Sequence, residues 1–230
     1  MSCGIDRRSN SRGIYNKIDS QPAKRTLHNR DCRMKRILSC FAFKPAVPYT
    51  LETYNSAGVV FTDGTHVLAG YQPNKKKPFV SGIGGRKEEG ETYMDTALRE
   101  GMEELFEFKD VPVALTKDIR QSIPPKNVLL TGGYVSVVYS FDDLHAVLRL
   151  LKQHSLQSEL YDTLPSDLLE LVFRRKLLQR TYEISHLCIL PIVDHNLKNP
   201  FLDTYFLMDF PKLMCDKKEP TRDPMGKNRL

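Results

Sequence analysis

Between Gly85 and Glu107 the chain reads GRKEEGETYMDTALREGMEELFE, and Glu100, Glu103, Glu104 and Glu107 fall at spacings i, i+3, i+4 and i+7. At 100° per residue these carboxylates occupy a fan of roughly 100° on one helix face. Met94, Ala97, Leu98 and Leu105 take the opposite side, a stripe suited to packing on a sheet. Like charges one turn apart repel, so the helix gains nothing from gathering them. A divalent cation reverses that penalty; a solvated acidic face is the blander alternative. Thr92 is placed to cap the helix start, and Gly84-Gly85 before it allows close backbone approach.

With 230 residues, 40% of them hydrophobic and 27% charged, the chain has the composition of a soluble globular protein. No apolar run approaches the roughly 18 residues of a membrane span, and the start lacks the apolar core of a secretory signal. The 5 cysteines are scattered, which points to a reducing, intracellular compartment, cytoplasmic or nuclear, rather than a disulfide framework. His28 with Cys32 and Cys40 has neither finger spacing nor a fourth ligand for zinc.

Charge is uneven. Residues 1–36 carry 10 Lys or Arg against Asp6, Asp19 and Asp31, a net +7, while the remainder of the +6 chain sums to −1. A basic arm on a near-neutral body suits a polyanion such as RNA, or serves as a disordered or organelle-targeting tail.

Along the chain, residues 1–50 read as a basic arm and linker, with Pro45 and Pro48 preventing a long element. Ala57–Phe61 reads as a buried strand, turned at Asp63-Gly64 into a partner over His66–Tyr71. Further strands are expected near Val113–Leu115, over Val128–Tyr139 with a bend at Gly132-Gly133, and over Ile184–Val193. Helices are expected over Asp142–His154, over Leu164–Arg180 with Pro165 at its start, and over Phe201–Met214. Arg174, Arg175, Lys176 and Arg180 suit either a helix C-terminal end or an acidic ligand. Residues 215–230 form a second basic tail.

Gly85, five residues, Glu91, seven residues, Arg99-Glu100, two residues, then Glu103-Glu104 resembles the signature of the Nudix hydrolases. The resemblance implies an α/β (α+β) chain: an αβα sandwich with a mixed sheet over residues 51–214, a helical insertion near 142–181, and basic flexible termini. It also implies Mg²⁺- or Mn²⁺-dependent hydrolysis of a nucleoside diphosphate linked to another group. Glu100, Glu103, Glu104 and Arg99 are then the catalytic candidates, and Gly85, Glu91, Glu100, Glu103 and Glu104 the metal candidates. Arg99 is expected to orient a glutamate. The basic loop Lys75-Lys76-Lys77 is the substrate-phosphate candidate.

Glu183, Glu159 and Glu170 are candidate auxiliary bases, and Tyr134, Tyr139 and Phe79 are candidates for stacking on a base. The arm and insertion favour an mRNA cap, as in the insert-bearing decapping type. ADP-ribose, a dinucleoside polyphosphate or an oxidised nucleotide remain open, as does a silent nucleotide- or RNA-binding module. Three positions depart from the signature: Gly101 and Glu107 where an aliphatic residue is usual, and Phe106 where glycine is. Gly101 is expected to make room for Phe106 or Phe108, and the helix to run on to Lys109.

Overall fold

The computed structural model describes residues 48–177 and 183–215. Most of the expected arm and linker (1–47), the end of the insertion (178–182) and the tail from 216 onward lie outside the described residues.

Strands β1 (Ser56–Thr62) and β2 (His66–Gln72) form the expected hairpin. Its turn is held by Asp63, whose Oδ1 accepts from the backbone N–H of Thr65 at 2.7 Å and of His66 at 2.6 Å. The two strands pair only at Thr62↔Val67 and then part. The stretch from 79 to 86 serves both: β3 (Phe79–Ser81) pairs with β2, and β4 (Ile83–Arg86) pairs with β1 from Ser56↔Arg86 to Val59↔Ile83. On its other edge β1 runs parallel to β6 (Tyr134–Ser140), which pairs antiparallel with β5 (Asn127–Thr131); β7 (His186–Pro191) pairs antiparallel with β2. The result is a mixed sheet of 7 strands.

Alternation along the strands divides the core in two. Val59, Phe61, Leu68 and Val137 face one side, where they pack with residues of α1 (Tyr93–Phe106), α2 (Val113–Ser122), α3 (Phe141–Gln153) and α4 (Leu168–Phe173). Val60, Val67, Ala69 and Val138 face the other, against Phe206, Phe210 and Leu213 of α5 (Thr204–Cys215). This is the expected α+β arrangement, a mixed sheet with helices on both faces.

Three element assignments need correction. Val113–Leu115 is the first turn of helix α2, not a strand; Leu115 and Ile119, four apart, are its buried contacts. Val128–Tyr139 is two strands, because Gly132 and Gly133 take φ of 57° and 86° and turn the chain into a hairpin rather than bending one strand. The insertion helix begins at Leu168, where the Asp167 side chain accepts from Glu170 N at 2.9 Å, and ends at Phe173; it does not span Leu164–Arg180.

Candidate active site

Helix α1 is fixed at its start by a reciprocal capping box. The Thr92 side chain accepts from Asp95 N, and the Asp95 side chain accepts from Thr92 N at 3.1 Å. Ala97, Leu98, Met102 and Leu105 are buried in the core under the sheet, while Glu100 and Glu104 come to lie along the β4 edge of it. Gly101 has a different purpose from the one expected. A Cβ there would lie 2.8 Å from Val59 Cγ2, so the glycine lets α1 press onto β1 rather than making room for Phe106 or Phe108.

The helix ends at Phe106 instead of continuing to Lys109. Glu107 takes the left-handed conformation (φ 56°, ψ 41°) and its N–H bonds Glu103 O at 2.8 Å. The insertion makes this termination possible. Phe106 is buried, stacked on Phe108 at 5.4 Å and tilted on Tyr161 at 6.0 Å. Ser158 Oγ donates to Phe106 O at 2.5 Å, and the buried Arg175 guanidinium donates to Leu105 O at 2.7 Å, Glu104 O at 2.9 Å and Ile184 O at 3.0 Å. A cation on the last carbonyls of a helix also compensates its dipole. Arg175 thus belongs to a helix end, but to that of α1. Its Nε is buried without a partner. The basic run is visible in the sequence, but nothing local in it marks which carbonyls Arg175 reaches.

Arg99 is the hub of the acidic wall. Its Nε donates to Glu91 Oε1 at 2.6 Å and its Nη2 to Glu91 Oε2 at 3.1 Å, a two-point clamp. Nη1 reaches Glu100 Oε1 at 3.0 Å and Glu103 Oε2 at 3.1 Å, and Nη2 also donates to Arg86 O at 2.9 Å. Burial alone would raise the Glu91 pKa. The bonds from Arg99, from Thr96 Oγ1 at 2.7 Å and from Glu88 N at 2.9 Å outweigh it and bring that pKa to about 2. Glu91 is therefore a fixed anion that positions Arg99.

Glu100, Glu103 and Glu104 are displaced the other way. Burial raises the pKa of each, and Arg99 only partly offsets this for Glu100 and Glu103. Glu104 is raised furthest, by burial against the hydrogen bond it accepts from Gly84 N at 2.6 Å, with Glu183 and Glu100 adding repulsion. Gly85 leaves the space in which Glu100 lies: a Cβ would fall 2.3 Å from Glu100 Oε2, so a larger residue would push that carboxylate off the β4 backbone.

The cleft beside this wall is lined by Glu100, Glu103, Glu104 and Glu107 of the helix and its cap, together with Glu183. Glu183 Oε1 pairs with Lys75 Nζ at 2.5 Å, which brings the basic loop to the site through its first lysine; Lys76 and Lys77 are exposed. Of the other auxiliary-base candidates, Glu159 pairs with Lys109 at 3.8 Å and Glu170 with Arg174 at 2.9 Å, and neither lines the cleft.

One buried and two half-buried carboxylates make a hard oxygen donor set of the kind that Mg²⁺ or Mn²⁺ favours. Even so, among the described residues no three His, Cys, Asp or Glu side chains are arranged to hold a metal. Arg99 draws in Glu91, Glu100 and Glu103, while Gly84 N holds Glu104. The set Gly85, Glu91, Glu100, Glu103 and Glu104 lines one wall without converging into a ready-made shell. Glu100, Glu103 and Glu104 fit a cation by donor type, once Glu100 and Glu103 turn from Arg99.

No family model matches this chain, and no curated protein matches it. Among solved structures, a NUDIX-family hydrolase from Clostridium perfringens is 16% identical with a TM-score of 0.33, covering 70% of this chain and 96% of that one. A bifunctional NMN adenylyltransferase/ADP ribose pyrophosphatase from Francisella tularensis is 15% identical with a TM-score of 0.38, covering 79% of this chain and 44% of that one. A structure of a bifunctional protein of the same description and organism, complexed with AMP and Mn ion, is 14% identical with a TM-score of 0.38, covering 79% and 46%. The chain thus spans less than half the length of these bifunctional proteins. With identities and TM-scores this low, what characterises the site is its side chains.

Proposed function

We propose that this chain is a Nudix-type pyrophosphohydrolase, dependent on Mg²⁺ or Mn²⁺, acting on a nucleoside diphosphate linked to a further group. The observation that carries the reading is the Arg99 hub. One guanidinium gathers Glu91, Glu100 and Glu103 on a wall that also holds Glu104, and Gly85 is glycine because Glu100 lies against it.

Glu100, Glu103 and Glu104 would hold the cation, which when bound screens pyrophosphate charge and makes water a better nucleophile. Arg99 and Glu91 fix the orientation of the wall. Glu183, in the lining of the same cleft, is the residue we assign to accept a proton from water, and Lys75, paired with it, the one we assign to bind a phosphate oxygen. The departures at Gly101, Phe106 and Glu107 are absorbed by Val59, by Phe108 with Tyr161, and by Arg175 with Ser158. That accommodation supports the enzyme over a silent binding module.

Among substrates we favour a capped RNA end, with the basic arm of residues 1–36 as the RNA contact in a cytoplasmic or nuclear setting. ADP-ribose and dinucleoside polyphosphates are the alternatives. The test is cation-dependent product release from a panel of these three substrate classes. Release from capped RNA, with binding that weakens and loses salt dependence when residues 1–36 are removed, supports the cap reading. Turnover of ADP-ribose or a dinucleoside polyphosphate alone replaces it, and no turnover on any panel member contradicts the enzyme.

A further inference from the structure

A second cavity, of about 200 Å³, lies on the α5 side of the β3–β4 strand, and Gly84 is part of its wall. The same Gly84 offers its N–H to Glu104. Lys75 also lines this cavity while pairing with Glu183 of the acidic cleft, so the two spaces share a backbone wall and a cation.

The lining mixes aromatic rings with several polar side chains, a make-up that can stack and orient a polar ring. Phe79 is half-buried, and Tyr205, at 55% exposed, presents a ring that no core packing requires. Two carboxylates stand in the lining. Asp209 is buried and already satisfied by Ser136 Oγ at 2.5 Å and Thr131 Oγ1 at 2.7 Å. Asp203 uses Oδ1 to accept from Phe206 N at 3.0 Å, at the start of α5, and its Oδ2 carries no hydrogen bond among the described residues. Tyr134 is a further open polar group, in a lining that also holds Gln72, whose amide nitrogen donates to Ser81 Oγ at 2.9 Å. The Tyr134 hydroxyl comes within 2.0 Å of where a Cβ would be on Gly58 and 2.4 Å of one on Gly84, so two glycines make space for it, and it too carries no hydrogen bond among the described residues.

Flat rings together with a free carboxylate oxygen select a planar ligand that presents N–H donors at its edge. Guanine does so, with a ring N–H beside an exocyclic amine. Adenine sets a bare ring nitrogen next to its amine and would oppose the carboxylate, and uracil offers one N–H flanked by carbonyls. We propose that this cavity is a purine subsite selective for a guanine-type edge, read by Asp203 and stacked on Tyr205 and Phe79. The inference rests on the nucleotide reading of the acidic cleft and narrows it: the substrate carries a guanine nucleoside, with its phosphates passing Lys75 toward Glu104.

The test is metal-free calorimetric titration of the full-length chain with GMP, AMP and UMP, which needs no turnover. GMP should bind at least about tenfold more tightly than AMP or UMP, because a site built to accept N–H donors rejects an edge that lacks them. Tyr205→Ala should weaken GMP by about tenfold, the loss of one stacking ring. Asp203→Asn keeps an acceptor for Phe206 N, so the fold should survive while the GMP-to-AMP ratio falls toward one. Equal binding of GMP and AMP, or a ratio untouched by Asp203→Asn, overturns the subsite. Turnover of a panel substrate without purine selection sinks the subsite alone; GMP selection without any turnover sinks the hydrolase and keeps the subsite.

Discussion

Arg175 holds the backbone carbonyl of Glu104 at 2.9 Å, while the carboxylate of that same glutamate is held by Gly84 N at 2.6 Å. The most displaced carboxylate of the acidic wall is thus gripped at both ends, once by β4 and once by an arginine 71 positions along the chain. The same guanidinium bonds Ile184 O at 3.0 Å, next to Glu183, and so ties the end of α1 to the segment that brings Glu183 into the cleft lining.

Arg175→Ala should therefore cost more than a surface charge. It strands the carbonyls of Glu104, Leu105 and Ile184, and we expect a loss of about 2–4 kcal/mol of stability in urea unfolding. Arg175→Lys should recover only part of this, since an ammonium on a flexible stem does not reproduce the planar fork. An Ala variant as stable as the parent would remove Arg175 from the account of how α1 ends.

Acid stability should report Glu91. Its pKa falls from 4.5 to about 2 on folding, so its contribution is present above about 4.5 and disappears as pH drops toward 2. Glu91→Gln should flatten the acid limb of a stability-versus-pH curve in that window and leave the slope above pH 6 unchanged. An acid limb identical to the parent's would show that Arg99 does not hold Glu91 as described.

The other glutamates carry the opposite sign. Folding raises the pKa of Glu100, Glu103 and Glu104, so without cation they favour the folded chain at low pH and oppose it as pH rises through their folded values. Mn²⁺ or Mg²⁺ should relieve that opposition. Thermal unfolding in EDTA and in millimolar cation should therefore differ more as pH rises, and Glu104→Gln should shrink the difference. A Tm indifferent to cation at every pH would contradict these residues as its ligands.

Gly85→Ala offers a steric probe. The added Cβ would meet Glu100 Oε2 at 2.3 Å, which forces the side chain off the β4 backbone. A displacement of that order in a catalytic wall costs about a hundredfold in kcat, and circular dichroism should show the fold retained. Undiminished kcat would mean that Glu100 does not need its place against Gly85.

What was legible in the sequence followed from local rules. The spacing of Glu100, Glu103 and Glu104 against Leu98 and Leu105 fixed one helix face to the sheet, and Thr92 marked the helix start. What was not legible depended on residues distant in the chain. Phe106 argued for a longer helix, because nothing near it announced that Arg175 and Ser158 would take up the last carbonyls. Gly101 looked like space for an aromatic ring, since its true neighbour, Val59, lies on another element. Val113–Leu115 was too short a window to reveal helical period; Ile119, one turn after Leu115, was the available signal. Tyr139, a stacking candidate, is instead core, packed on Phe61 at 5.7 Å, whereas Tyr134 and Phe79 line the second cavity.

Cation-dependent hydrolysis at the glutamate wall is the function we propose, and kcat for Glu104→Gln decides it. On whichever panel substrate the parent turns over in Mg²⁺ or Mn²⁺, the variant removes one buried charge and little volume. A fall of about a hundredfold or more in kcat, with the fold intact, is the expected result. Full activity in Glu104→Gln would contradict the account.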